Sequence, residues 1–195
     1  MAIDCSEIEN WACSTPDEVA KLTARFEQLD QTLTIDEIAR AYIAQAYVGD
    51  EYSDLDFNRM AIDTMMKTGD IENALRLAWD TACRRPFNLD ALNALLQIVP
   101  QEHDIWTVAA WRFSKLLKAI TSTGDGMSEK SAFCVICVQD EYMVMRAALE
   151  ITDIQDQQLI INGMKSFDCF TVTPCNSYPH DKVFFEITPF NISAL

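Results

Sequence analysis

The stretch that decides the fold is STGDGMSEKSAFCVICV, residues 122–138, because the hydrophobic period changes within it. Before it, apolar residues recur every three or four positions, which is typical of helices. After residue 131, the run AFCVICV is β-branched and aromatic and has the length of a strand. Helices followed by strands predict an α+β fold with a small antiparallel sheet near the C-terminus.

The chain before this stretch is predicted to form an array of about six helices. Thr15 precedes Pro16, and Thr34 stands three residues before Glu37; both are signals of a helix N-terminus. Proline and glycine separate the segments. The predicted helices cover residues 16–29, 34–48 (ending at Gly49), 55–67, 71–85, 88–99 and 104–121.

The chain after it is predicted to alternate between strands and one inserted helix. The helix is DEYMVMRAALE, residues 140–150. The strands are 132–138, 157–162, 167–173 and 182–188. Without a linker between the two parts, we expect residues 1–127 and 128–195 to form one continuous body.

A repeat-like pattern lies in the middle of the helical part. Small residues and a terminal proline fall at the spacings of a tetratricopeptide repeat's second helix, and two leucines resemble the start of the next repeat. The positions are Gly69, Ala74, Ala78, Pro86, Leu92 and Leu95. Small alanines allow two helices to approach closely, so the pattern predicts a degenerate tetratricopeptide-like helix pair.

Charge and cysteine content narrow the classes of partner. The 195 residues carry a formal net charge of −15, with acids concentrated before residue 38. Such a surface repels phosphate backbones and anionic lipid, which excludes nucleic acid and membrane as default partners. The first residues lack a signal peptide, which predicts a cytoplasmic protein. The seven cysteines, mostly in apolar runs, predict free thiols in a reducing compartment.

Three segments together resemble an uncharacterised bacterial domain-of-unknown-function family. They are residues 24–47 (ARFEQLDQTLTIDEIARAYIAQAY), 84–96 (RRPFNLDALNALL) and 120–142 (ITSTGDGMSEKSAFCVICVQDEY). The resemblance implies a tetratricopeptide-like helical part with a mixed C-terminal part, and no activity. Its members often begin with an export signal, so an exported protein with a trimmed signal is the alternative localisation.

The loop STGDGMSEKS, residues 122–131, admits three interpretations. A phosphate loop would need its glycines directly after a strand, and an EF-hand would need oxygen ligands at alternating positions. Neither pattern is present. We expect a turn in which Gly124 ends the long helix, Asp125 and Gly126 make the reversal, and Ser128 caps a short helical turn.

The motif CVIC, residues 134–137, has the spacing of redox or zinc pairs. Residues three apart on a strand face opposite sides, so buried structural thiols are the favoured interpretation. The further zinc ligands would have to come from Cys169, Cys175 or His180. His103 and His180 both stand in polar loops and are expected to be solvated. We therefore predict no catalytic residue, metal or cofactor.

The otherwise acidic chain has one cluster of basic residues on the predicted helices. Arg76, Arg84, Arg112 and Lys115 are candidates for contacting an anionic partner in a helical groove; pairing with the protein's own acids is the alternative. The predicted function is a non-enzymatic module that binds a protein or peptide. The alternative is a small hydrolase or transferase that uses Cys134, His180 or a carboxylate site.

Overall fold

The computed structural model describes residues 5–48 and 59–191, which form helices followed by a mixed sheet. The α+β class predicted from the sequence is confirmed. The helices are α1 (Cys5–Ser14), α2 (Pro16–Glu27), α3 (Ile35–Val48), α4 (Arg59–Thr68), α5 (Ile71–Arg84), α6 (Leu89–Ile98), α7 (Asp104–Thr121), α8 (Val138–Ala147) and α9 (Thr188–Asn191), with a 3-10 turn at Glu129–Ser131. The strands are β1 (Phe133–Cys134), β2 (Ile154–Asn162), β3 (Lys165–Val172) and β4 (Lys182–Glu186).

Local signals account for the starts of α3 and α6. The Thr34 N–H donates to Glu37 Oε2 at 2.8 Å, and the Glu37 N–H donates to Thr34 Oγ1 at 3.1 Å, which is the predicted capping box of α3. Asn88 caps α6 by accepting from the Ala91 N–H at 2.8 Å. The predicted helix end at Gly49 and the start of the helix predicted at residue 55 lie outside the described residues.

The sheet has the strand order β1-β4-β3-β2. β2 and β3 form an antiparallel hairpin, and β3 pairs antiparallel with β4. β1 pairs with β4 in parallel. The sheet is therefore mixed, whereas the sequence predicts an antiparallel sheet. The predicted strand 132–138 also ends early, because the Ile136 N–H donates to the Tyr42 hydroxyl at 3.0 Å and α8 begins at Val138.

One cluster of buried residues includes side chains from the helices and from the sheet. In the helical part, Phe26 and Phe87 stack with ring centroids 4.6 Å apart, and Tyr42 meets Phe87 edge-on. In the sheet, Phe170 meets Phe185 edge-on at 5.8 Å. Aromatic contacts of these geometries are favourable beyond the area they bury.

Helix α5 has the small buried face that the sequence predicts. Ala74, Ala78 and Ala82 are fully buried, and α5 packs against α4 and α6. Thr81 is buried as well, and its hydroxyl is satisfied by the Leu77 carbonyl at 2.9 Å. These contacts fit close helix packing, and the tetratricopeptide-like arrangement stays a prediction.

Candidate functional site

Strand β2 forms an open edge of the sheet. It is nine residues long, and all of them except the half-buried Ile160 are exposed. β3 lies along one side of it, and no other strand of the described chain lies along its second side. An edge strand of this kind offers main-chain donors and acceptors to a further strand.

The C-terminal end of β2 is apolar. Leu159 is 58% exposed, Ile161 is 71% exposed, and Met164 in the hairpin turn is 97% exposed. Leu159 pairs with Asp168 and Ile161 pairs with Ser166, so the two apolar side chains lie on the same face of the sheet. Exposed apolar residues grouped in this way mark interaction surfaces.

The N-terminal end of β2 is acidic. Asp153 precedes the strand and accepts from the Thr173 hydroxyl at 2.5 Å, and Asp156 accepts from Gln158 Nε2 at 3.1 Å. Both aspartates are exposed. We call the set Asp153, Asp156, Leu159, Ile161 and Met164 the β2 edge; it is acidic at one end and apolar at the other.

The Gln157 side chain connects β2 to β3 and to α8. Its amide donates to Asp168 Oδ2 at 2.8 Å, and its Oε1 accepts from the Tyr142 hydroxyl of α8 at 3.2 Å. The Tyr142 ring meets Phe170 of β3 edge-on at 5.6 Å. These contacts hold the middle of β2 in register while both of its ends stay exposed.

Glu141 and Asp168 form a buried acid pair beneath Gln157. Glu141 is fully buried, and neither of its carboxyl oxygens makes a hydrogen bond of standard geometry. Burial raises the pKa of Glu141 to about 9, and the neighbouring Asp168 and Asp140 carboxyls add to the rise. Glu141 is therefore protonated at neutral pH.

A second buried carboxyl belongs to Asp140. The Tyr42 hydroxyl donates to its Oδ2 at 2.6 Å. Burial raises the pKa of Asp140 to about 7, and hydrogen bonds from Tyr42 and Cys137 oppose the rise. Perturbed carboxyls occur both in active sites and in structural networks. The Tyr42 bond joins Asp140 of α8 to α3, and Glu141 of α8 lies beside Asp168 of β3.

The cysteines of CVIC do not face each other. Cys134 lies in β1 with its sulfur against Cys5, and Cys137 occupies the N-cap position of α8. That position lowers thiol pKa values in redox motifs, but here burial and Asp140 raise the pKa of Cys137. Within the described residues, no group of three or more His, Cys, Asp or Glu side chains is placed to hold a metal ion.

The two histidines stand apart from the thiols. His103 is exposed, as expected, and its Nδ1 also accepts from the Ile105 N–H at 3.1 Å, which caps α7. His180 is exposed and meets the Tyr178 ring edge-on at 5.2 Å. Cys134 is buried against Cys5, and within the described residues no hydrogen bond joins it to the exposed His180.

The four basic candidates occupy different environments. Arg112 is buried; its guanidinium donates to the Glu27 carbonyl at 2.7 Å and to the Ala82 carbonyl at 3.3 Å. These two hydrogen bonds join α7 to α2 and α5. Arg76 and Arg84 are exposed on α5, and Lys115 on α7 lies 5.7 Å from the centroid of a Trp111 ring.

The loop 122–131 is a turn, as predicted, with two differences. The Asp125 and Gly126 N–H groups both donate to the Ser131 carbonyl, at 2.9 and 2.8 Å, and the Met127 N–H donates to Asp125 Oδ1. Ser128 does not cap the following turn through its side chain; its hydroxyl lies 3.0 Å from the Ser131 hydroxyl. Helix α7 ends before the predicted Gly124, with Ser122 as its C-cap.

Sequence reasoning missed the β2 edge and the buried carboxyls. The segment QQLIIN was predicted as a strand, and its polar residues beside apolar ones fit an exposed position. The two acids directly before the apolar run of α8 gave no sign of burial, because acids are common in the first turn of a helix. Neither pattern identifies the tertiary partners, which come from α3 and β3.

The helical body and the mixed sheet with one open edge define an α+β domain. Within residues 5–48 and 59–191, no helix is both long and apolar enough to cross a membrane. The chain belongs to the family described as "Domain of unknown function (DUF4919)", whose family model matches residues 7–192. Searches of the curated proteins and of the solved structures find no match.

Proposed function

We propose that this protein is a non-enzymatic interaction module that binds an extended segment of a partner protein along the β2 edge. The observation that supports this proposal most directly is a nine-residue edge strand, exposed on its free side and ending in exposed apolar residues. Partners of this kind add a strand to a sheet: main-chain hydrogen bonds supply affinity, and alternate side chains supply specificity.

The chemistry of the edge indicates which segment would fit. Leu159 and Ile161 lie on one face and would pack against alternate apolar residues of the added strand. Asp153 and Asp156 at the other end favour a Lys or Arg there, and the net charge of −15 attracts a basic partner generally. The proposed ligand is therefore an extended segment that is basic at one end and apolar at the other.

A second contact area is proposed for an acidic part of the partner. Arg76 and Arg84 are exposed, and their side-chain hydrogen bonds stay within α5, to Asn73 at 2.7 Å and to the Asp80 carbonyl at 3.4 Å. Lys115 on α7 is half-buried over Trp111. Arginines with such local contacts keep further donors for a carboxylate.

The β2 edge is tested with displayed nine-residue peptides that carry Lys or Arg at one end and alternating Val, Ile or Phe. We expect wild-type protein to enrich such peptides and the double variant Leu159→Lys/Ile161→Lys to bind the enriched peptide at least ~10-fold more weakly, because charges on an edge disfavour strand addition. The matched control is Met60→Lys/Ile71→Lys, which adds the same charges to exposed apolar positions on α4 and α5.

Three outcomes contradict the proposal. The edge variant binds like wild type; the control loses binding equally; or binding is lost in Arg76→Glu/Arg84→Glu and kept in the edge variant, which would place the site on the helices. A dimer of wild-type protein that the edge variant abolishes would make a second copy the occupant and would overturn the peptide assignment.

A further inference from the structure

Two cysteine sulfurs from distant parts of the chain lie in contact. Cys5 is the first residue of α1 and Cys134 lies in β1, 129 residues further along, and their Sγ atoms are 2.6 Å apart. Both residues are buried. The separation lies between a covalent S–S bond of ~2.05 Å and a weak S–H···S hydrogen bond, so the backbone already holds the two side chains close enough to be linked.

We propose that Cys5 and Cys134 form a disulfide that fastens α1 to the sheet whenever a disulfide oxidant is present. The inference is independent of the binding function proposed above. It differs from the expectation of seven free thiols, since two of the buried residues would be joined. All seven cysteines are free thiols in the structure, and Cys13 and Cys83 are the exposed ones.

The chemistry is two successive exchanges with an oxidant RS–SR. The Cys5 thiolate attacks one sulfur of the oxidant, forming a mixed disulfide and releasing one RS⁻. Cys134 then attacks the Cys5 sulfur and displaces the second RS⁻. The two protons lost by the cysteines end on the two released thiolates, so two protein thiols are oxidised and one RS–SR is reduced to two RSH.

The surroundings indicate that Cys5 reacts first. Cys5 is the first residue of α1, and because helix ends open more readily than helix interiors, we expect an oxidant to reach this thiol before Cys134. Cys134 is enclosed: its contact with Cys5 and its burial raise its pKa well above the usual range, and Glu186 adds to the rise. Lys165 pairs with Glu186 at 3.1 Å beside it. A thiol held protonated in this way is a poor first nucleophile.

The disulfide would close a loop of 129 residues, and long loops gain most in the chain-entropy account. We therefore expect reduction of the oxidised protein by dithiothreitol to lower Tm by roughly 5–15 °C.

The test treats purified protein with oxidised glutathione, removes the oxidant, unfolds the protein in the presence of an alkylating agent, and counts thiols by mass. We expect two fewer alkylated thiols than in a reduced sample, and a linked peptide pair containing Cys5 and Cys134 after proteolysis. Cys13→Ser, on the same helix, should behave like wild type, whereas Cys5→Ser and Cys134→Ser should lose both the linked pair and the Tm difference.

The proposal is overturned if all thiols of treated wild-type protein are alkylated. It is also overturned if the linked peptides contain other cysteines such as Cys13 and Cys83, or if glutathione stays attached to Cys5 as a mixed disulfide. Circular dichroism spectra of both serine variants under reducing conditions establish that a missing crosslink does not come from misfolding.

Discussion

The two edges of the sheet are built in opposite ways. The β1 edge is two residues long and buried, and the loop 122–131 closes it: the Cys134 N–H donates to the Thr123 hydroxyl at 2.8 Å, and the Phe184 N–H of β4 donates to the Gly126 carbonyl at 2.9 Å. The β2 edge is nine residues long and exposed. Thus the chain covers one edge with its own loop and leaves the other open.

The difference shows what the loop 122–131 does. Its glycines and polar residues resemble a ligand loop in composition, yet its carbonyl and hydroxyl groups serve as hydrogen-bond partners for the sheet. Exposed apolar edges carry a risk of aggregation, and natural proteins cover or charge them. A chain that closes one edge in this way and leaves Leu159 and Ile161 exposed on the other supports a binding role for the open edge.

The largest expected loss of stability comes from replacing glycine by valine, and it should differ between the two edges of the sheet. Gly126 has φ +72°, and a Cβ there would lie 2.4 Å from the Phe133 ring. Gly163 in the β2–β3 turn has φ +65° with nothing within 4 Å of its Cβ position. Gly126→Val should cost about 2–5 kcal/mol, from strain plus overpacking, and Gly163→Val about 1–2 kcal/mol, from strain alone.

Urea unfolding of both variants checks this comparison. Equal losses in the two variants would mean that Phe133 moves aside without cost and that the closed edge is not tightly packed. A larger loss for Gly163→Val would contradict the description of the β2 turn as open.

The next effect concerns the acid pair beneath the open edge. Glu141 keeps its proton in the folded protein up to a pKa of about 9, whereas its usual value is 4.5. Between these values the folded state binds a proton that the unfolded state has lost, so the free energy of unfolding must fall as pH rises from about 5 to 9. One such group contributes a slope of up to ~1.4 kcal/mol per pH unit.

Glu141→Gln should remove this contribution and raise stability at pH 8 by about 1–3 kcal/mol, because a neutral amide replaces a carboxyl that must stay protonated. Urea titrations at several pH values measure the slope. The matched control is Glu72→Gln, which removes an exposed carboxyl from α5 and should leave the slope unchanged. An identical slope in wild type and Glu141→Gln would refute the buried acid pair.

Local signals were predictable from the sequence, and distant partners were not. The capping box of Thr34 and Glu37 and the reversal at Gly126 follow from residues within a few positions of each other. The Tyr42 hydroxyl donates to Asp140, 98 residues away, and accepts from the Ile136 N–H, and this second bond helps to end the predicted strand early. Periodicity reports which face of an element is apolar, but it carries no information on what packs against that face.

The lack of information on distant partners also explains why the sequence did not predict the burial of Arg112. Arg112 has the sequence context of an exposed helical arginine, but two main-chain carbonyls from α2 and α5 accept from its guanidinium. Those carbonyls are 85 and 30 residues away along the chain, so only the tertiary structure shows that this arginine is buried.

The last comparison concerns one threonine at each edge, where the expected difference rests on a single hydrogen bond. Thr123 is buried, and its hydroxyl accepts from the Cys134 N–H and donates to the Ile120 carbonyl at 2.6 Å. Thr123→Val keeps the volume but leaves a buried N–H unpaired, which should cost about 1–3 kcal/mol. Thr173 is exposed beside β2, where its hydroxyl donates to Asp153. Thr173→Val should stay within about 0.5 kcal/mol of wild type, because water replaces the lost bond.

Amide hydrogen exchange makes the test more specific: the Cys134 N–H should lose protection selectively in Thr123→Val. If both variants lose equal stability, the β1 edge is not closed by this hydroxyl, and the contrast between the two edges would rest on the Gly126 carbonyl alone.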